Sequence, residues 1–118
     1  MLIPAEIGGI AINAIGYRAF LGKALTEVLI PSSVKEIDEE SFAENQITKI
    51  TIPDNVAVGK WDFKDNPITE VTIGDNVSFF AGKIGAPIGN GFRALYNRKK
   101  RKAGTYIYDD ERRIWRNK

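Results

Sequence analysis

One phrase is written three times between Leu25 and Ile73: Leu25-x-x-Val28-x-Ile30, Ile47-x-x-Ile50-x-Ile52 and Ile68-x-x-Val71-x-Ile73. The starts lie 22 and 21 residues apart. A fixed period of roughly 20–50 residues marks stacked units that share one core. Phe20, Phe42 and Phe63 keep the same spacing, so they should lie one above another as an inward aromatic ladder with a large buried area. Core packing is the expected role, ahead of an aromatic ligand box. Asn45 and Asn66, 21 residues apart, each precede a new strand. They are expected to turn inward and bond turn backbone in their own coil and the next, because buried backbone groups need partners.

The rest of each repeat follows the same frame. Pro31-Ser32-Ser33, Pro53-Asp54-Asn55 and Gly74-Asp75-Asn76 read as tight corners after the strand. Val34, Val56 and Val77, then Ile37, Val58 and Phe79, predict a second, shorter extended segment in each coil. Residues 40–44 and 60–64 have room for a helical turn, and nothing has the sustained 3.6-residue period of a long helix. Residues 3–24 read as an incomplete first repeat: Ile3 to Ile7 strand-like with a proline, Gly8-Gly9 a turn, Ile10 to Ile12 strand again. The last repeat degrades, with Ile84 where the ladder calls for phenylalanine, and Gly82 to Gly91 form a turn-rich exit. That exit fits neither phosphate-binding glycine pattern.

The segment from Phe92 is of another kind. Phe92, Leu95 and Tyr96 precede the basic run Arg98-Lys99-Lys100-Arg101-Lys102. Thr105 to Tyr108, a turn at Asp109-Asp110-Glu111, and Ile114-Trp115 follow, which predicts two or three short strands closing in a hairpin. A stacked array leaves a raw apolar face at its last coil, and Phe92, Tyr96, Tyr106, Tyr108 and Trp115 are the material to cover it. Residues 1–91 are therefore expected to be a repeat array of about four repeats, with the first and last irregular. Residues 92–118 are expected to be a capping segment with a basic loop.

With repeats and cap both in view, the chain resembles the BspA-like, or Treponema pallidum-type, leucine-rich repeat family. The stretch Leu25 to Ile37 through Ser41-Phe42, its echo from Ile47 to Phe63, and the opening Ile3 to Phe20 carry the resemblance. Phe92 to Tyr96, Ala103 to Tyr106 and Trp115 are similar to the C-terminal caps of small spirochaete members. The fold implied is mainly β, a short right-handed leucine-rich-repeat solenoid with a C-terminal β-hairpin-like cap. The resemblance also implies a secreted or surface-displayed bacterial protein with a role in adhesion or protein binding. The start Met1-Leu2-Ile3-Pro4 shows neither a basic region nor a long apolar run of a leader. The repeat is already under way at Ile3, so a mature or trimmed chain is expected.

Composition narrows the chemistry. The 118 residues contain no cysteine and no histidine, which removes disulfides, thiolates and the commonest general base and metal ligand. No apolar run reaches the roughly 18 residues of a membrane span. No cofactor is expected. The acids Glu36-Asp38-Glu39-Glu40 and Asp62-Asp65 read as solvated turns without a nucleophile–base pair, and the calcium loop pattern D-x-D-x-D-G is absent. Asn76-Val77-Ser78 matches a glycosylation sequon, discounted because Val77 should face the core. The chain is expected not to be an enzyme.

Binding is the expected role, and three surfaces compete for it. Stacking the strands in parallel puts Glu27, Lys49 and Glu70 in one outward row and Leu29, Thr51 and Thr72 in the next. These side chains either simply solvate the sheet or take an unknown protein partner. The net charge of +2 conceals a division: residues 1–91 hold seven Lys/Arg against twelve Asp/Glu, residues 92–118 ten against three. Arg98, Lys99, Lys100, Arg101 and Lys102 would therefore suit a polyanion, a glycosaminoglycan or nucleic acid, with Tyr96, Tyr106 and Tyr108 available to stack bases. Self-association through an uncapped N-terminal coil is the third reading.

Overall fold

The computed structural model describes residues 6–7, 10–59, 62–79 and 91–118. The described chain runs β1 (Glu6–Ile7), β2 (Ile10–Ala11), β3 (Ala14–Ile15), β4 (Glu27–Leu29), β5 (Glu36–Ile37), β6 (Lys49–Ile52) and β7 (Ala57–Val58). It continues through β8 (Glu70–Ile73), β9 (Ser78–Phe79), α1 (Gly91–Arg98), β10 (Gly104–Asp109) and β11 (Ile114–Asn117). The expectations at Ile3 to Ala5, at Gly8-Gly9, at Ile84 and at Gly82 to Asn90 lie outside the described residues.

The repeat builds a solenoid, because each coil gives one strand to each of two sheets. In the first sheet β4, β6 and β8 pair in parallel, and in the second β3, β5, β7 and β9 do the same. The 22- and 21-residue spacings become register: Val28 pairs with Ile50 and Ile50 with Val71. These three, with Ile52, Ile73, Val34, Val56, Val77 and Ile37, are at most 2% exposed. Each such side chain contributes about 1.5–3 kcal/mol on burial, so the core is a set of aliphatic columns. Phe20, half-buried, and the buried Phe42 and Phe63 stack with centroids 5.3 and 5.5 Å apart.

Backbone turns close the third side of each coil. Residues 39–42 and 62–65 make turns and no helix. Their amides bond from coil to coil: Phe20 N to Ser41 O at 2.8 Å, Phe42 N to Asp62 O at 2.9 Å. Left-handed residues recur in register, at Gly22, Glu44 and Asp65 and again at Asn55 and Asn76. The asparagine ladder closes what remains. Asn45 Oδ1 accepts from Lys23 N (2.8 Å) and Leu25 N (3.0 Å), and its Nδ2 donates to Phe20, Phe42 and Ala43 carbonyls. Asn66 likewise reaches Ile47 N, Phe42 O and Phe63 O. Each asparagine thus joins its own coil to the preceding one, not to the next as the sequence reading had it. The amide precedes its strand and so lies level with the turn already laid down.

Beyond β9 the chain changes construction. The terminal segment, where two or three short strands were expected, supplies two, β10 and β11, and opens with the eight-residue helix α1. Phe92, Leu95 and Tyr96 stand at i, i+3 and i+4, so one turn of helix puts all three on the core, where they are buried. Tyr96 Oη accepts from Val77 N (3.0 Å) and donates to Gly74 O (2.7 Å), latching the last corner. Burial raises its phenol pKa. The hairpin β10–β11 then pairs antiparallel with β8 through Tyr106↔Val71 and Thr105↔Thr72. Tyr106 and Trp115 sit edge-on to Phe92 at 5.5 and 5.2 Å.

The basic run forms the exit from α1, not a loop between strands. Arg101 N donates to Tyr96 O and Lys100 N to Asn97 O, both at 2.9 Å. These are the two bonds of a Schellman cap, whose left-handed position normally takes glycine. Here it is Lys100, at φ +58°. Lys100→Gly should raise stability by about 0.5–1 kcal/mol, seen as a higher urea midpoint with an unchanged slope.

Candidate functional site

The outward rows lie where strand stacking puts them. Glu27, Lys49 and Glu70 are in register across β4, β6 and β8, and so are Leu29, Thr51 and Thr72. Alternation along each strand turns Val28, Ile50 and Val71 inward and these neighbours outward. Leu29 is 41% exposed, an apolar side chain at the β4 end of the face. The sequence-predicted sheet residues are thus brought together on one surface. The five residues of the basic run are on another, the exposed end of α1 at Arg98 and the segment Lys99 to Lys102 that follows it.

The surface is wider than three strands. Because β10 pairs with β8, Ile107 lies beside Glu70 and Thr105 beside Thr72, and β11 adds Arg116 beside Ile107. Thr72 and Thr105 hydroxyls are 3.1 Å apart, and Lys118 Nζ meets Glu70 Oε1 at 3.3 Å. Asp109 Oδ2 lies 3.9 Å from Arg112 and 3.8 Å from Arg116. All six threonines of the chain, at 26, 48, 51, 69, 72 and 105, lie in or beside this five-stranded sheet. The cap's share (Thr105, Ile107, Arg116, Lys118) carries no repeat signal, and the docking of a strand 33 residues from its partner could not be read from spacing.

The second sheet carries an open hollow of about 280 Å³, lined by Glu36, Asp38 and Glu39 with Ala57 to Gly59. Beside it Asp62 overturns a sequence expectation. It is 1% exposed, not a solvated turn residue. It occupies the position of buried Ser41 one coil earlier, and 62 − 41 = 21 was the available signal. Its carboxylate accepts from Gly59 N (2.7 Å) and Ser41 N (3.2 Å), so it ties two coils as the asparagines do. Burial pushes its pKa up to about 7, against those two hydrogen bonds, with Asp38 and Glu39 adding repulsion.

That shift has a sign. Between the ordinary carboxyl value near 3.8 and about 7, the folded chain holds a proton on Asp62 that the unfolded chain has lost. Stability conferred by the protonated form is therefore lost as pH rises from about 4 to about 7. Urea midpoints across that range should fall in the native chain and lose this component in Asp62→Asn. The variant should be less stable at pH 4, since an amide nitrogen cannot accept from Gly59 N.

Among the described residues no group of three acids could hold a metal ion, and no helix is long and apolar enough to cross a membrane. A family model described as a BspA type leucine rich repeat region (6 copies) matches residues 9–84, well over half of the chain. The chain belongs to the BspA-type leucine-rich repeat family. No curated protein and no solved structure matches it. The match covers the coils that build β4, β6 and β8 and ends before α1, so the terminal hairpin lies beyond the family's repeat region. BspA-type repeat regions are scaffolds of the protein-interaction or adhesion kind, and the family is associated with bacterial surface proteins.

Proposed function

We propose that this BspA-type array is a non-enzymatic binding module whose five-stranded sheet takes a protein segment across its outward face, in adhesion at the bacterial surface. One observation supports the reading above others: the rows Glu27–Lys49–Glu70 and Leu29–Thr51–Thr72 are in register and run on into the hairpin. Opposite charges on adjacent strands contribute only about 0.2–1 kcal/mol per pair to the sheet, which leaves side chains of both signs and hydroxyls to face a partner. The absence of cysteine and histidine favours binding over catalysis.

A photo-crosslinking residue at Thr51 should capture a protein from the bacterium's own surface fraction or its host's matrix. The same residue at Ala57, on the second sheet, should not. Lys49→Glu should abolish the capture at Thr51 while keeping a native unfolding transition, its stability lowered by only about 1–2 kcal/mol because two opposite-charge pairs, with Glu27 and Glu70, become like-charge pairs. Equal capture from both positions, or indifference to Lys49→Glu, contradicts the reading.

A further inference from the structure

The exposed run from Arg98 to Lys102 stands apart from three other cations of the C-terminal segment. Lys118 is held by Glu70, and Arg112 and Arg116 flank Asp109. None of Arg98, Lys99, Lys100, Arg101 or Lys102 forms an ion pair among the described residues, and all five are exposed. Five adjacent positive charges without internal partners repel one another, a cost that an external anion would relieve.

The turn is also fixed in place. Its amides close the Schellman cap, Arg101 O accepts from Asn76 N at 2.9 Å, and Ala103 N donates to Asp75 Oδ1. Lys100 and Arg101 both hold left-handed φ. A backbone tied to α1 on one side and to the Asp75–Asn76 corner on the other presents its charges without first being ordered, which lowers the cost of binding.

What surrounds the turn selects the kind of polyanion. Tyr96 and Tyr106, which the sequence offered for base stacking, are 0% and 1% exposed, with hydroxyls bonded to Gly74 O and Lys102 O. Tyr108 is half-buried and packs edge-on to Trp115. Tyr96 and Tyr106 thus give single-stranded nucleic acid no stacking platform, and Tyr108 by itself offers only part of one ring. The cations sit on a turn at the end of a helix, not along a helix or ribbon that could enter a major groove. What remains as the means of recognition is clustered charge together with the paired hydrogen bonds that the arginines can give to an oxyanion's edge.

We propose that the Arg98–Lys102 turn is a second binding site on this protein, for a sulfated polysaccharide, separate from the outward sheet face. The test is retention on immobilised heparin along a sodium chloride gradient, beside duplex DNA and a plain sulfopropyl matrix. The native chain should elute from heparin above about 0.15 M salt and later than from the other two matrices. Replacing all five residues by alanine should weaken heparin binding at least roughly tenfold, while Arg112→Ala with Arg113→Ala at the hairpin tip should change nothing. Should the five-fold variant fail to fold, Lys99→Glu with Lys102→Glu must show the same loss with a native unfolding transition. Unchanged retention in these variants, or equal retention on DNA or the sulfopropyl matrix, overturns the proposal.

Discussion

Phe42→Ala should destabilise the fold by about 3–5 kcal/mol, the range for removing a fully buried phenylalanine. Phe42 is 0% exposed and lies between Phe20 and Phe63, nearly parallel to both, with ring planes 7° and 3° apart. Its removal empties the middle rung of the ladder. The coils cannot settle into the gap, because Phe42 N is bonded to Asp62 O and Phe20 N to Ser41 O on either side. Urea unfolding should show a much lower midpoint. Phe20→Ala is the comparison, since Phe20 is only half-buried and has a stacked ring on one side. Its loss should be clearly the smaller. Equal losses would mean that the rings do not stack as an inward column.

Asn45→Ala should cost a similar amount, roughly 3–5 kcal/mol, by a different route. A buried donor or acceptor left unpaired costs about 1–3 kcal/mol, and Asn45 satisfies two amides and three carbonyls. The sum falls short of five separate penalties because Phe42 O keeps its bond from Asn66 Nδ2 and Ala43 O its bond from Gly22 N, and because Lys23 N and Leu25 N are only partly buried. The specific readout is amide hydrogen exchange. Lys23 and Leu25 should exchange much faster in the variant, while Val71 in the third strand should be far less affected. A stability loss under about 1 kcal/mol would place the amide outside the turn.

Much of the fold could be read because the repeat writes its own register. Three copies of one apolar phrase, a phenylalanine ladder and a repeated asparagine each state a spacing. Spacing converts directly into pairing when strands stack in parallel. The acids were harder: Asp62 looked solvated because a carboxylate is rarely buried, yet it stands where Ser41 had already bonded the turn. The terminal segment was hardest. Three apolar residues over one helical turn are too few to separate α1 from a strand, and nothing in the sequence sets the antiparallel register of β10 on β8. The sheet rows were therefore visible over three strands, and their continuation over Thr105, Ile107, Arg116 and Lys118 was not.

That continuation is the claim on which the proposed binding face depends, and the cysteine-free chain permits a direct measurement. With Thr72→Cys and Thr105→Cys introduced together, residues directly opposite each other lie within about 4.5–5.5 Å Cα to Cα, inside the reach of a disulfide. Oxidation should join them rapidly and keep a native unfolding transition. Thr51→Cys with Thr105→Cys, one strand further apart, should stay reduced under the same conditions. Ready closure of the second pair, or failure of the first, would contradict a hairpin docked on β8 and the five-stranded face built on it.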